Sequence, residues 1–200
     1  MKKGLLITLI IVAVILIIVI WGVGKYNAMQ RAKIDVQNQF AQVQAAYQRR
    51  YDLIPNLVET VKGAANFEKS TLTAVVEARA KMGGTLQLPK EAVNDPQAFA
   101  NLQQANEGLS SALQRLMVVV ERYPELKANQ NYLSLQEQLE GTENRINQER
   151  RIYNDTAAKF NKLISVFPNN IIAGMFNFKP VEMFKAAAGA EQAPQVDFGV

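Results

Sequence analysis

Apolar positions along this chain fall into one unbroken block followed by long stretches of helical spacing. Gly4 to Val23 carries no charge, and Thr8 is its only hydroxyl residue. Twenty residues in a helix span roughly 30 Å, the hydrocarbon thickness of a bilayer. Trp21 and Tyr26 stand at one end, where amphipathic rings favour the interface. The block therefore predicts a transmembrane helix over residues 4–24, after a basic tail at 1–3. A cleaved signal peptide is the competing reading, with Gly22 and Gly24 resembling a small-x-small cleavage site. Its apolar stretch is usually only about 7–15 residues, shorter than this one.

Beyond the block, apolar residues recur at alternating steps of three and four. One run reads Phe99, Leu102, Asn106, Leu109, Leu113, Leu116, Val120, Tyr123. Another reads Tyr132, Leu135, Leu139, Thr142, Ile146, Glu149, Tyr153, Thr156, Phe160, Leu163, Phe167. This is the seam of a coiled-coil-like bundle. Met29, Ala32, Val36, Phe40, Val43, Tyr47 and Tyr51 continue the first helix beyond the membrane. Leu57, Val58, Val61, Ala65, Leu72, Val75 and Val76 follow Pro55, with an interruption near Glu68. Asp95 is placed to cap a helix that Pro96 opens.

Read this way, the chain is all-α: an antiparallel bundle of four long helices continuous with the transmembrane helix. The expected helices cover about 25–51, 55–82, 96–122 and 126–167. A short apolar segment runs to 185, and a small-residue tail fills 186–200. Short connections make successive helices antiparallel neighbours. Pro55 and Pro124 then mark the end far from the membrane. The Gly83–Pro96 connection and everything after Phe167 lie near it. That would bring Ile171, Ile172, Met175, Phe176 and Phe178 to the lipid surface, interleaved with Lys179 and Lys185. They are candidate membrane or oligomer contacts, or else a cap folded over the open end of the bundle.

Composition removes whole classes of chemistry. There is no cysteine and no histidine. Disulfides, thiol nucleophiles, Cys/His zinc sites, histidine-dependent triads and Glu-x-x-His di-iron sites are excluded. No phosphate-binding glycine loop is present: Gly83-Gly84 is not followed by Gly-Lys-Ser/Thr, and no G-x-G-x-x-G occurs. No cofactor is expected. The 22 basic residues, two of them Lys2 and Lys3 at the anchor, face 18 acidic ones. This is a mixed solvated surface rather than a nucleic-acid footprint. Lys2 and Lys3 before the span against Lys25, Arg31 and Lys33 after it slightly favours a cytoplasmic C-terminal domain.

Polar residues on or beside the seams are the remaining candidates: Arg50, Asp52, Asn56, Glu59, Asn106, Glu107, Glu143, Asn144 and Arg145, with Arg79, Thr142, Glu149, Asn154 and Thr156. They suit either an internal site for a polar ligand or a hydrogen-bonded layer that fixes helix register. Around the expected turn between the first two helices, Asp52 can cap the second helix and Pro55 fits its first turn. That segment reads first as a turn specification and second as a partner-binding surface.

The run Arg49-Arg50-Tyr51-Asp52-Leu53-Ile54-Pro55-Asn56-Leu57-Val58-Glu59-Thr60-Val61-Lys62-Gly63 closely resembles the signature of the LemA family of bacterial membrane proteins. So do Tyr26-Asn27, Thr71-Leu72, Ala78-Arg79 and Asn106-Glu107-Gly108-Leu109-Ser110. The likeness continues through Glu121-Arg122-Tyr123-Pro124-Glu125-Leu126-Lys127-Ala128, Thr142-Glu143-Asn144-Arg145-Ile146, Tyr153-Asn154, Phe167-Pro168 and Pro194-x-Val196-x-Phe198. The resemblance implies a single-pass protein of the bacterial inner membrane with a long-helix bundle and no established enzymatic activity. It also implies an envelope quality-control setting, because family genes often lie near those of a membrane zinc metalloprotease or a TPM-domain protein. One departure is Ala64-Ala65-Asn66-Phe67-Glu68, where the family usually shows an aromatic residue and a histidine before the glutamate. The expected role is a non-enzymatic, self-assembling scaffold of the cell envelope. A protease adapter or regulator and a ligand-sensing bundle are the alternatives.

Overall fold

A computed structural model describes residues 2–64 and 67–185. The expectations for the 186–200 tail, including Pro194, Val196 and Phe198, and for Ala65 and Asn66 fall outside the described residues. The chain is all-α: among the described residues, every regular element is helical. In chain order these are α1 (Lys2–Lys62), α2 (Lys69–Gly83), a 3-10 turn (Lys90–Asn94), α3 (Pro96–Val120), the short α4 (Pro124–Lys127), α5 (Gln130–Ser165) and α6 (Asn169–Met175).

α1 is one helix of 61 residues, roughly 90 Å long. From Leu5 to Val23 its large apolar side chains are all exposed, as a membrane anchor requires of a helix with no protein around it. Burial begins at Met29 and recurs at Val36, Phe40, Val43, Tyr47, Arg50, Ile54, Leu57 and Val61. That seam crosses Pro55 without interruption, so the expected helices at 25–51 and 55–82 are corrected. Pro55 lies inside α1, Asp52 is an exposed mid-helix residue rather than a cap, and the turn comes after Lys62. Gln48 donates to the Asp52 carboxylate at 2.7 Å.

A proline inside a helix deprives the carbonyl four residues earlier of its partner. Here that carbonyl belongs to Tyr51, and Arg79 of α2 donates Nε–H to it at 3.2 Å. The Arg79 guanidinium also lies 3.8 Å from the centre of the Tyr51 ring. The neighbouring helix thus supplies what the proline withholds.

α2 runs back along α1 only as far as the middle of the bundle. Gln44 of α1 donates to the carbonyls of Leu86 and Leu88 at 3.2 and 3.0 Å. About twenty residues, or roughly 30 Å, separate Gln44 from the end of the apolar block. The Gly83–Pro96 connection is therefore half-way up the bundle and not beside the membrane. The sequence cue misled because α2, at 15 residues, is half the expected length. Asp95 then caps α3, its side chain accepting from the backbones of Gln97 and Ala98, with Pro96 at the first position.

α5 returns the whole way. Asn129 caps it, and it continues through Gly141 as one helix of 36 residues. Its buried face reads Ile146, Glu149, Tyr153, Ala157, Phe160 and Ile164. Thr156 and Leu163 are thus only half-buried, and Phe167 is 79 % exposed. A straight helix of 3.6 residues per turn drifts off a strict 3.5-residue seam, which shifts the buried face by one position here.

Below the level of Phe40 and Phe99, α1 and α5 lack α2 and α3 beside them. The chain after α5 fills that place. α6 lies against both long helices, and an extended strap, residues 176–185, climbs back up the bundle. Ile172, Ala173, Val181 and Phe184 are buried, and Phe178 is half-buried against the Tyr26 and Phe160 rings. Phe184 packs on Phe99 and Tyr153 with ring centres 4.6 and 5.2 Å away.

A buried polar centre as candidate functional site

Arg50 is the largest fully buried side chain among the described residues, 1 % exposed. It occupies a seam position of α1 at the level where α2, α3 and α5 all pack around that helix. A buried guanidinium is tolerated when its donors are matched and its charge compensated. Nη1 donates to Ser110 Oγ at 2.9 Å and to Glu143 Oε2 at 2.6 Å. Nη2 donates to the Asn106 side-chain oxygen and, at 3.4 Å, to its backbone carbonyl. Asn106 and Ser110 stand one turn apart on α3, and Glu143 reaches in from α5. One side chain therefore ties three helices.

Glu143 is 42 % exposed, so the pair is solvated on one side. It sits at a cleft of about 160 Å³ lined by Arg50, Ser110, Leu113, Met117, Leu139 and Glu143. Burial lowers the Arg50 pKa from its ordinary value, and the Glu143 charge opposes that shift. One turn before Arg50, Tyr47 is fully buried, its ring centre 6.0 Å from the guanidinium carbon. Its hydroxyl makes no hydrogen bond among the described residues, and desolvation pushes its pKa up to about 12.

The other sequence candidates disperse. Asn56 and Glu59 are exposed; Glu59 pairs with Lys62 at 2.6 Å, and the Asn56 carbonyl accepts from Thr60. Glu107 is half-buried and accepts from Gln103 at 2.9 Å. Asn144 is exposed. Arg145 pairs with the buried carboxylate of Glu149 at 2.7 Å, and Gln39 donates to the other oxygen of that carboxylate. These carboxylates do not converge. Among the described residues no group of three acidic side chains could hold a metal ion. Ser110 is a member of the centre that seam reading missed, although it lies four residues after Asn106 on the same helix face.

Of the candidate membrane or oligomer contacts, Ile172 is buried and Phe178 turns inward to Tyr26, because both face the α1–α5 groove. Ile171, Met175 and Phe176 remain 55, 75 and 56 % exposed.

Arg50, Asn106, Ser110 and Glu143 come from three separate sequence motifs that meet at one point. The LemA family model matches residues 39–198, a span that includes all of them. The chain belongs to the LemA family. Its curated relatives include Protein LemA of Metamycoplasma hominis, 28 % identical over 82 % of this chain and 71 % of that protein. Magnetosome protein MamQ of Magnetospirillum gryphiswaldense is 31 % identical over 80 % of this chain and 64 % of its own length. A second MamQ, from Paramagnetospirillum magneticum, is 30 % identical over 80 % of this chain and 65 % of its own. This chain thus spans just under two thirds of each magnetosome relative. None of these names denotes a reaction.

Proposed function

We propose that this LemA-family chain is a non-enzymatic, membrane-anchored scaffold of the bacterial cell envelope that assembles with further copies of itself. The observation that carries the reading is the continuity of α1. One helix is both the exposed apolar span and the central element of the bundle. A bundle built on it is held upright over the bilayer at a fixed height, and anchoring concentrates copies in two dimensions. The polar centre supports the same reading. The Nη groups of Arg50 donate to other helices of the bundle, which suits a register-setting layer that keeps a long rod in one packing.

Light scattering on the full-length chain in mild detergent, with negative-stain images, tests the proposal. A large ordered particle is the expected result. A monomer would overturn self-assembly and favour an adapter for a membrane protease or TPM-domain protein, to be sought by affinity purification. A ligand-sensing bundle would instead show a ligand-dependent rise in melting temperature.

A further inference from the structure

α6 carries two faces of different fate. Asn169, Ile172 and Ala173 are buried against the long helices. Ile171 and Met175, four residues apart on α6, are 55 and 75 % exposed, and Phe167 in the turn before the helix is 79 % exposed. Phe176 extends this patch. Its ring centre lies 4.8 Å from that of Tyr26, and Tyr26 is only three residues, about 5 Å, beyond the last residue of the apolar block. The patch is therefore continuous with the lipid-exposed surface of α1. With the apolar block spanning a bilayer, Phe176 beside Tyr26 falls near the boundary of headgroups and acyl chains. Lys25, whose ammonium lies 5.9 Å from the Trp21 ring centre, and the exposed Lys179 follow in sequence on the two segments that carry the patch. Large exposed apolar patches of this kind mark contact surfaces.

We infer that Ile171 and Met175 of α6, with Phe167 and Phe176 at its two ends, insert into the bilayer interface as a second membrane contact beside the transmembrane helix. This rests on the anchor reading given above. Interfacial helices bury their apolar face about 5–10 Å into the headgroup and acyl boundary, a depth that side chains at this height reach. The contact would fix rotation of the rod about its own axis, which a single spanning helix leaves free. Every copy in an assembly would then present the same side to its neighbour.

Trp21 is the chain's single tryptophan, which makes a fluorescence test direct. Full-length chain would be reconstituted in phosphatidylcholine vesicles brominated high on the acyl chains. Three forms would be compared: the native chain, F167W in a Trp21→Phe background, and M175W in the same background. The native chain reports the anchor, and its Trp21 emission should be quenched. The inference expects blue-shifted, bromine-quenched emission from the tryptophans at 167 and 175 as well. Water-like, unquenched emission from both, with Trp21 quenched, would overturn the α6 contact and leave the anchor standing. Blue-shifted emission that is unquenched and strengthens with protein density would overturn it in favour of a second copy as the occupant. Unquenched Trp21 would overturn the anchor and the inference resting on it together.

Discussion

Arg79 donates its Nε–H to the carbonyl of Tyr51, the acceptor that Pro55 leaves without a helical partner. The same guanidinium covers the Tyr51 ring at 3.8 Å. A charged hydrogen bond contributes about 1.5–3 kcal/mol and a partly exposed cation–π contact about 1. Arg79→Ala is expected to destabilise the full-length chain by about 2 kcal/mol. In a Pro55→Ala background the new backbone N–H can satisfy Tyr51, so the same substitution should cost less than half as much. Thermal unfolding of the four members of this cycle in detergent, followed by circular dichroism, checks the coupling. Equal costs in both backgrounds would show that Arg79 acts independently of the proline.

Arg50 and Glu143 give a second coupled pair. Removing one partner of a buried ion pair leaves an uncompensated charge at a cost of about 3–5 kcal/mol. Glu143 is partly exposed, so water screens part of that loss. Glu143→Ala should therefore destabilise by about 2 kcal/mol. In an Arg50→Met background, with no charge left to strand, it should be nearly neutral. Denaturant midpoints measured at constant m-value would separate these outcomes.

The seams in α3 and in the upper part of α5 were legible because steps of three and four need nothing beyond local spacing. Asp95 and Pro96 were legible for the same reason. Pro55 misled because an intrinsic penalty of about 3 kcal/mol was weighed without the residue that offsets it, and Arg79 lies 24 positions further on. The continuing seam Tyr47, Arg50, Ile54, Leu57, Val61 was itself visible, with a charge at one of its positions. Such a charge reads as a break until its partners are known. Asn106 and Glu143 stood out as seam-side polar residues, but their convergence on Arg50 is a property of three packed helices. The strap left the weakest trace. Of its partners, Asn154 stands beside the seam, while Asn161, one heptad further along α5, looks like a surface polar residue when read alone.

Tyr47 predicts an alkaline response. Its folded pKa, about 12, lies above the ordinary value of 10.0 because burial disfavours the phenolate, with Arg150 and Arg50 opposing that effect. A raised pKa means that the contribution to stability is intact below pH 10 and declines as pH rises from 10 towards 12. Tyr47→Phe should flatten part of that decline. At neutral pH it should cost less than about 0.5 kcal/mol, since the hydroxyl makes no protein hydrogen bond that the change would break. Melting temperatures of both chains between pH 8 and pH 11, a range chosen around the ordinary tyrosine value, test this. Identical pH slopes would assign the alkaline loss elsewhere, Tyr153 being the next buried phenol raised by desolvation.

The strap offers a local rather than a global test. Asn161 accepts from Val181 N–H at 2.9 Å and donates to its carbonyl at 3.0 Å; Asn154 does the same to Phe184 at 2.9 and 2.8 Å. Each asparagine thereby treats one strap residue as a neighbouring strand would, holding Val181 in the groove beside α5 and Phe184 against Phe99 at the start of α3. Each neutral bond contributes about 1 kcal/mol net. The N154A/N161A chain should lose several kcal/mol of strap attachment while α1 and α5 keep their own packing. Local opening is read by hydrogen exchange. The amides of Val181 and Phe184 should exchange at least a hundredfold faster, a change equivalent to about 2.7 kcal/mol, and trypsin should cut sooner after Lys185, the bond after Lys179 being protected by Pro180. Helix content should stay unchanged. If the amides stay protected, the strap is held instead by the burial of Val181 and Phe184 together with its remaining bonds, from Tyr153 to the Glu182 carbonyl and from Glu182 N–H to the Val93 carbonyl.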